Sequence, residues 1–192
     1  TGQFTPTVEG TYRIAVGLIH ENWSGLYQWA NDVGTMTLGG GTGSTTSTIF
    51  DEALAPGWQD WSWGTTVTTD ASPAYQGTKA MGVTYTSVWG GLYLHHNGYS
   101  TQGKQSLVFS LRAQNPLAPT LQVTAFDASG NPLPSIAIAP YLSGSMNDTG
   151  YVQVSIPLSV LSVQGVDMKG LMIQGATGNI EPAFLIDNIT IE

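Results

Sequence analysis

Gln105–Arg112 (QSLVFSLR) and Thr120–Phe126 (TLQVTAF), closed off by the turn cluster Asp127-Ala128-Ser129-Gly130-Asn131-Pro132, set the pattern that decides the fold. Each run is short, β-rich, and bounded by residues that favour turns. The pattern repeats outward in both directions. Thr65–Thr69, Lys79–Thr86 and Gly91–His96 precede it, and Ile136–Ala139, Tyr151–Ile156, Leu171–Gln174 and Phe184–Ile191 follow it. A second turn cluster, Ser143-Gly144-Ser145-Met146-Asn147-Asp148, falls among them. No window carries a capped helical apolar stripe, and Pro157–Val163 alone is expected to form a helical turn. Short strands at this spacing predict an all-β chain: an antiparallel β-sandwich of jelly-roll type.

Composition narrows the function. Of the 192 residues, 41% are hydrophobic and 9% charged, enough to bury a sizeable core in one domain. Five Lys and Arg against thirteen Asp and Glu leave a net charge of −8. Nucleic-acid binding needs clustered basic residues, so no nucleic-acid partner is expected. With no cysteine, disulfides, thiolate zinc sites and cysteine nucleophiles are excluded together. No apolar run approaches the ~20 residues of a membrane-spanning helix, so no membrane partner is expected either. The sequence also opens without a recognisable signal peptide, as a mature or excised fragment would.

The one clear break in composition is Leu38-Gly39-Gly40-Gly41-Thr42-Gly43-Ser44-Thr45-Thr46-Ser47-Thr48. Such Gly/Ser/Thr tracts act as flexible linkers. The chain therefore reads as three parts: 1–38, a linker at 39–48, and one domain at 49–192. In the first part Tyr12, Ile14, Val16 and Leu18 alternate as a strand, a loop runs through Glu21-Asn22-Trp23-Ser24-Gly25, and Thr35–Leu38 reads as a return strand. This N-terminal β-hairpin resembles the last strands of the immunoglobulin-like modules that precede binding modules in bacterial polysaccharidases. Two strands alone are marginal in water. Their apolar faces and bare edge predict docking on a strand edge, in cis or as an arm exchanged between chains.

For catalysis, glycoside hydrolysis needs two carboxylates facing each other across a cleft. Asp51, Glu52, Asp60, Asp70, Asp127, Asp148, Asp167, Glu181 and Asp187 are candidates, but most lie in turns or at strand ends. Asp127 and Asp148 are explained as turn residues. No Gly-x-Ser-x-Gly elbow appears. His95 and His96 are adjacent, so on a strand they face opposite ways and cannot chelate one ion together.

More distinctive is the aromatic cluster Trp58-Gln59-Asp60-Trp61-Ser62-Trp63 with Val88-Trp89-Gly90-Gly91-Leu92-Tyr93-Leu94-His95-His96. If extended, Gln59, Trp61 and Trp63 share one face; Trp89, Tyr93 and His95 likewise share one, with Leu92 and Leu94 turned to the core. The tryptophans could all be core. Three in so short a run, interleaved with Gln, Asp and Ser, fit a binding platform better. A sugar ring lies flat on an indole by its axial C–H groups, and its hydroxyls point sideways to polar residues. Mid-strand Gln122 and Gln174 are candidate hydroxyl readers, or partners in a structural hydrogen bond.

Ile49-Phe50-Asp51-Glu52 with Gly57-Trp58, then Ser72-Pro73-Ala74-Tyr75-Gln76-Gly77-Thr78-Lys79-Ala80, then Leu185-Ile186-Asp187-Asn188-Ile189 resemble a jelly-roll carbohydrate-binding module of bacterial cellulases and β-glucanases. The resemblance covers about residues 49–192. It implies a secreted, non-catalytic module that targets an attached glycoside hydrolase to plant cell-wall β-glucan: cellulose, mixed-linkage glucan or xyloglucan. It puts Trp89, Tyr93 and Gln174 in the ligand groove, where Gln174 replaces a position often aromatic in that family.

The resemblance also implies a structural calcium tying the first and last strands near the Gly77-x-Lys79 turn. Asp51 or Glu52 and Asp187 would supply carboxylates if the terminal strands pair, and calcium takes 6–8 oxygen ligands. Read as residues alone, these are ordinary solvated carboxylates. A small jelly-roll glycosidase or lyase, and a structural or adhesive β-sandwich, are the competing functional readings.

Overall fold

A computed structural model describes the backbone of residues 10–19 and 26–38, and residues 46–192 with their side chains. The chain divides into two compact units, Thr1–Ser44 and Thr45–Glu192. In the first unit β1 (Gly10–Ile19) pairs antiparallel with β2 (Leu26–Leu38) as a two-stranded sheet. β2 is longer than the expected return strand. The loop through Glu21–Gly25 and the linker from 39 to 45 lie outside the described residues, as do the side chains of this hairpin.

The second unit begins earlier than expected. β3 (Ser47–Phe50) starts inside the Gly/Ser/Thr tract and pairs with β13 (Phe184–Ile191). Ile49 and Phe50 are both fully buried, and their burial draws the tract's end into a sheet. Nine further strands lie between: β4 (Trp58–Asp60), β5 (Thr65–Ala71), β6 (Ala80–Tyr85), β7 (Gly91–Ser100), β8 (Ser106–Ala113), β9 (Leu121–Asp127), β10 (Ile136–Ala137), β11 (Val152–Pro157) and β12 (Asp167–Gly175). Two antiparallel sheets result. One runs β10-β9-β12-β7-β4; the other runs β11-β8-β13-β6-β5, with β3 also on β13. This is the predicted sandwich.

Alternation explains the layers. Leu92 and Leu94 of β7, Val123 and Ala125 of β9, and Leu171 and Ile173 of β12 meet Phe109 and Leu111 of β8 and Phe184 and Ile186 of β13 in one core. The expected helical turn at Pro157–Val163 is a run of hydrogen-bonded turns: Val160 N–H donates to Pro157 O (3.0 Å) and Val163 N–H to Leu158 O (3.0 Å). Leu158, Leu161 and Val163 all enter the core, which leaves no continuous helical face.

The β3 boundary is testable. A chain shortened to start at Thr45 should melt cooperatively, because the second unit stays whole. One starting at Asp51 loses two fully buried side chains, each large-to-small loss costing about 2–5 kcal/mol of a total near 5–15 kcal/mol, and should show no cooperative transition by calorimetry. Equal melting of the two would mean that β3 is dispensable.

Candidate functional site

The aromatic cluster assembles on the outer face of the five-stranded sheet. β4 pairs with β7 so that Gln59 sits opposite His95 and Trp58 opposite His96. Beyond Asp60 the chain keeps following β7. Trp61 N–H donates to Tyr93 O (2.9 Å), and Trp63 and Gly91 exchange two backbone bonds, Trp63 N–H to Gly91 O (3.2 Å) and Gly91 N–H to Trp63 O (2.9 Å). Gln59, Trp61 and Trp63 thus fall on one face, as the spacing predicts. Between them, Asp60 Oδ1 accepts the backbone N–H of Ser62 (2.9 Å) and its hydroxyl, and Ser62 Oγ accepts Tyr93 N–H (3.1 Å). The interleaved polar residues therefore hold the edge in register.

Of these tryptophans only Trp58 is core, 6% exposed and tilted against His96 and Tyr99. Trp61, Trp63 and Trp89 are 53%, 45% and 64% exposed. Trp61 lies parallel on His95, with ring centroids 3.6 Å apart and planes 4° apart, and its Nε1–H donates to Gln59 Oε1 (3.0 Å). Tyr93, half-buried, occupies the centre. Trp61 and Trp63 both meet it edge-on at 6.4 and 6.3 Å, and Phe126 of β9 packs against it at 4.6 Å. Edge-to-face contacts at these separations favour fixed ring orientations.

Two glycines make the arrangement fit. A Cβ on Gly91 would lie 3.1 Å from the Trp63 ring, so the indole can settle onto the strand only where no side chain stands. A Cβ on Gly170 of β12 would lie 2.8 Å from the Tyr93 ring, which rests over that backbone. The Trp89 turn is fixed by two donors converging on its carbonyl, Trp63 Nε1–H (2.8 Å) and Gln174 Nε2–H (3.0 Å).

Strand register sets the polar half of the face. Gly91 lies opposite Gln174, which lies opposite Gln122; Tyr93 lies opposite Met172, which lies opposite Thr124; and His95 lies opposite Gly170, which lies opposite Phe126. Gln122 and Gln174 are therefore neighbours across the strands. Met172, Phe126, Gly170 and Thr124 belong to this face although the aromatic cluster does not include them. The parity of Gln174 within β12 and of Gln122 within β9 was the available signal.

His95 is 7% exposed, and its Nδ1 has no hydrogen-bond partner among the described residues. Burial first, then the nearby charges of Lys169 and His96, push its pKa below the usual histidine value. His96 turns the opposite way, against Trp58 and Tyr99, so the two histidines do face apart.

The carboxylates expected near an ion lie elsewhere, beside the segment from Ser72 to Lys79. Asp187 is fully buried; its Oδ2 accepts the N–H groups of Tyr75 (2.7 Å) and Gln76 (3.2 Å), and its Oδ1 that of Asn188 (2.7 Å). Burial chiefly raises its pKa, and the neighbouring charge of Asp51 adds to the rise. Asp51 Oδ1 and Ser110 Oγ, the latter on the residue opposite Asp187, are buried without a partner among the described residues. Glu52 instead closes the turn: its Oε1 accepts Thr78 N–H (2.6 Å) and its Oε2 the Thr78 hydroxyl (2.7 Å). Gly77, at φ +66°, leaves room for that carboxylate, which a Cβ would overlap, and Lys79 is a charge neighbour. Among the described residues no cluster of three or more His, Cys, Asp or Glu stands ready for a metal.

As for paired catalytic carboxylates, Asp60 serves Ser62, and Asp127 accepts the N–H groups of Ser129 and Asn131 (both 2.8 Å), as turn chemistry predicts.

No family model matches the chain, and no curated protein does. Solved structures do. A family 29 carbohydrate-binding module, in a single-residue variant, is 19% identical with a TM-score of 0.53, over 77% of this chain and 90% of that one. A family 30 module of a cellulosomal cellulase of Clostridium thermocellum is 14% identical with a TM-score of 0.56, over 77% and 96%. A family 11 module from Clostridium thermocellum, solved with a mixed-linked β-1,3-1,4 tetrasaccharide, is 16% identical with a TM-score of 0.51, over 76% and 94%. The second unit has the β-sandwich fold of carbohydrate-binding modules.

The environment of His95 gives a titration prediction. Its folded pKa lies below the unfolded 6.5, so the folded ring takes up its proton only at lower pH than the unfolded chain does, and stability falls as pH drops below about 6.5. Lys169→Met should raise the His95 midpoint seen by NMR, and Trp61→Ala should raise it further by admitting water. A midpoint unmoved by both changes would contradict this account.

Proposed function

We propose that residues 45–192 form a non-catalytic module that binds a β-glucan chain along the outer face of the five-stranded sheet. In this reading it targets an attached, secreted bacterial glycoside hydrolase to that glucan. The observation that carries it is three half- to two-thirds-exposed indoles on one face: Trp61 and Trp63 are set edge-on to Tyr93, and Trp89 is carried on a turn whose carbonyl accepts the Trp63 indole N–H. Exposed apolar rings normally cost solubility, and a fold that fixes them in place is using them for contact. Trp61, Trp63 and Trp89 stack on sugar rings; Tyr93 forms the floor. Gln122 and Gln174 read hydroxyls, and His95, buried beneath the Trp61 ring, supports that ring. A neutral polysaccharide asks for no basic patch, in keeping with five Lys and Arg in the chain. Tethering then acts by effective concentration, holding an enzyme near an insoluble substrate through weak contacts.

Affinity electrophoresis against mixed-linkage glucan, xyloglucan and hydroxyethyl cellulose, with a reducing-sugar assay beside it, tests the proposal. Retardation without released sugar is expected. Trp89→Ala should weaken binding about tenfold, as loss of a stacking anchor does, while its melting temperature stays nearly unchanged because the ring is exposed. Unchanged affinity in Trp61→Ala, Trp63→Ala and Trp89→Ala alike would remove the platform, and released sugar would replace it with a hydrolase.

We also propose a structural calcium between Asp51 and Asp187. Two carboxylates close enough to oppose each other's charge, with Asp51 Oδ1 and Ser110 Oγ buried and unpartnered, are the environment that a hard cation relieves. Glu52, Gly77 and Lys79 then shape the neighbouring turn. An ion bound only by the native state at about 100 times its Kd adds about 2.7 kcal/mol of stability. A chelator should lower the melting temperature, and Asp51→Asn should abolish that difference. Identical melting of a calcium-loaded preparation with and without chelator would refute the site.

A further inference from the structure

The opposite face of the sandwich carries a cavity of about 280 Å³, lined by Ser72, Pro73, Arg112, Gln114, Asp148 and Leu185. We infer that this cavity is a second carbohydrate site that takes a single neutral sugar unit. It stands independently of the groove reading, since it shares no residue with the aromatic platform.

The walls are held on three sides. Arg112 of β8 lies opposite Leu185 of β13, which is 2% exposed and forms an apolar floor. The guanidinium is fixed by Nε–H (3.1 Å) and Nη2–H (2.7 Å), both donating to the Asp148 carbonyl. Asp148 itself sits in a turn tied by Asn147 Oδ1, which accepts the N–H (2.8 Å) and hydroxyl (2.6 Å) of Thr149, while Asn147 O accepts Ala113 N–H (3.0 Å). On the other side the Tyr151 hydroxyl donates to Pro73 O (2.7 Å), and Asp187 holds the next residues of the same segment. A space bounded by pinned walls is preformed, as small-molecule sites usually are.

Its chemistry selects the ligand. Arg112 and Asp148 contribute one charge of each sign, so the cavity favours neither an anion nor a cation. The side-on fork of Arg112, the geometry that grips a carboxylate in two parallel bonds, is already occupied by the Asp148 carbonyl. What remains is the outer Nη donors of the guanidinium, the amide of Gln114, the hydroxyl of Ser72 and the carboxylate of Asp148, above an apolar floor and a proline ring. Separate donors and acceptors around an apolar surface match the hydroxyls and C–H face of a sugar. The volume lies just under the usual small-ligand range of about 300–1,000 Å³, which suits one ring rather than a chain: an end or a side branch. With the groove on the other face, such a module would engage two chains at once.

The test is an NMR titration of the full chain carrying Trp89→Ala, which weakens the groove, with glucose, xylose and galactose to high millimolar concentration. Saturable shifts are expected at the Arg112 Nε–H and Gln114 side-chain amide signals. Arg112→Met, which keeps the aliphatic stem, should abolish the shift at the Gln114 amide. Gln114→Ala, a change at an exposed side chain, should weaken the affinity read at the Arg112 Nε–H about tenfold, the size of a lost polar contact. The absence of saturable shifts at these signals with all three sugars overturns the inference, as does a response in both variants equal to that of the chain carrying Trp89→Ala alone. The indole N–H signals of Trp61 and Trp63 in the wild-type chain, titrated with glucan oligosaccharides, report the groove separately.

Discussion

Burial of Leu92 and Leu94 in the core is the constraint from which the platform follows. A strand turns alternate residues to opposite faces, so committing these two leucines inward sends Gly91, Tyr93 and His95 outward together. Every other feature of the face is measured from that strand. Trp61 finds Tyr93 O, Trp63 finds Gly91, and β12 brings Gly170, Met172 and Gln174 beside them. A one-residue slip would turn Tyr93 and His95 into the core and expose both leucines, so the core energy that fixes the fold also fixes the site.

Backbone pairing brings the rings together, and small residues then set their height. Gly91 and Gly170 are openings into which Trp63 and Tyr93 sink, and the Trp89 carbonyl collects donors from the segments that flank β7 on either side. Gln174 therefore has a structural duty through its nitrogen. The two alternatives open for a mid-strand amide, reader or structural bond, are not exclusive, because the nitrogen serves the fold and the oxygen stays on the face. Gln122, across the strands, makes no side-chain hydrogen bond to a described residue and has both ends of its amide for a ligand.

Most of the sandwich was legible because its strands are long enough to display period-two patterning between turn clusters. β3 and β4 were not, for physical reasons. Ser47–Phe50 is camouflaged by the Gly/Ser/Thr tract it grows from, and Trp58–Asp60 is too short to alternate. The aromatic half of the site was readable from spacing within Trp58–Trp63 and Val88–His96. Phe126 and Met172 were not, since their place depends on which strands are neighbours, and β12 lies between β7 and β9 only in three dimensions. The carboxylates show the same limit. Nothing local distinguishes Glu52, whose oxygens are taken up by Thr78, from Asp51, whose buried oxygen has no partner.

The segment from Ser72 to Lys79 joins these observations. It is held by Asp187 through the amides of Tyr75 and Gln76, by Glu52 through Thr78, and by Tyr151 through Pro73. The sequence positions that resemble a carbohydrate-binding module thus converge on one piece of packing, between the start of the sandwich at Asp51–Glu52 and its end at Asp187. Residues that hold this segment act on the opposite sheet from the aromatic platform. Changes there should register in melting before they register in groove affinity, because the two faces communicate only through a core in which Phe109, Phe184 and Leu92 are already fully buried.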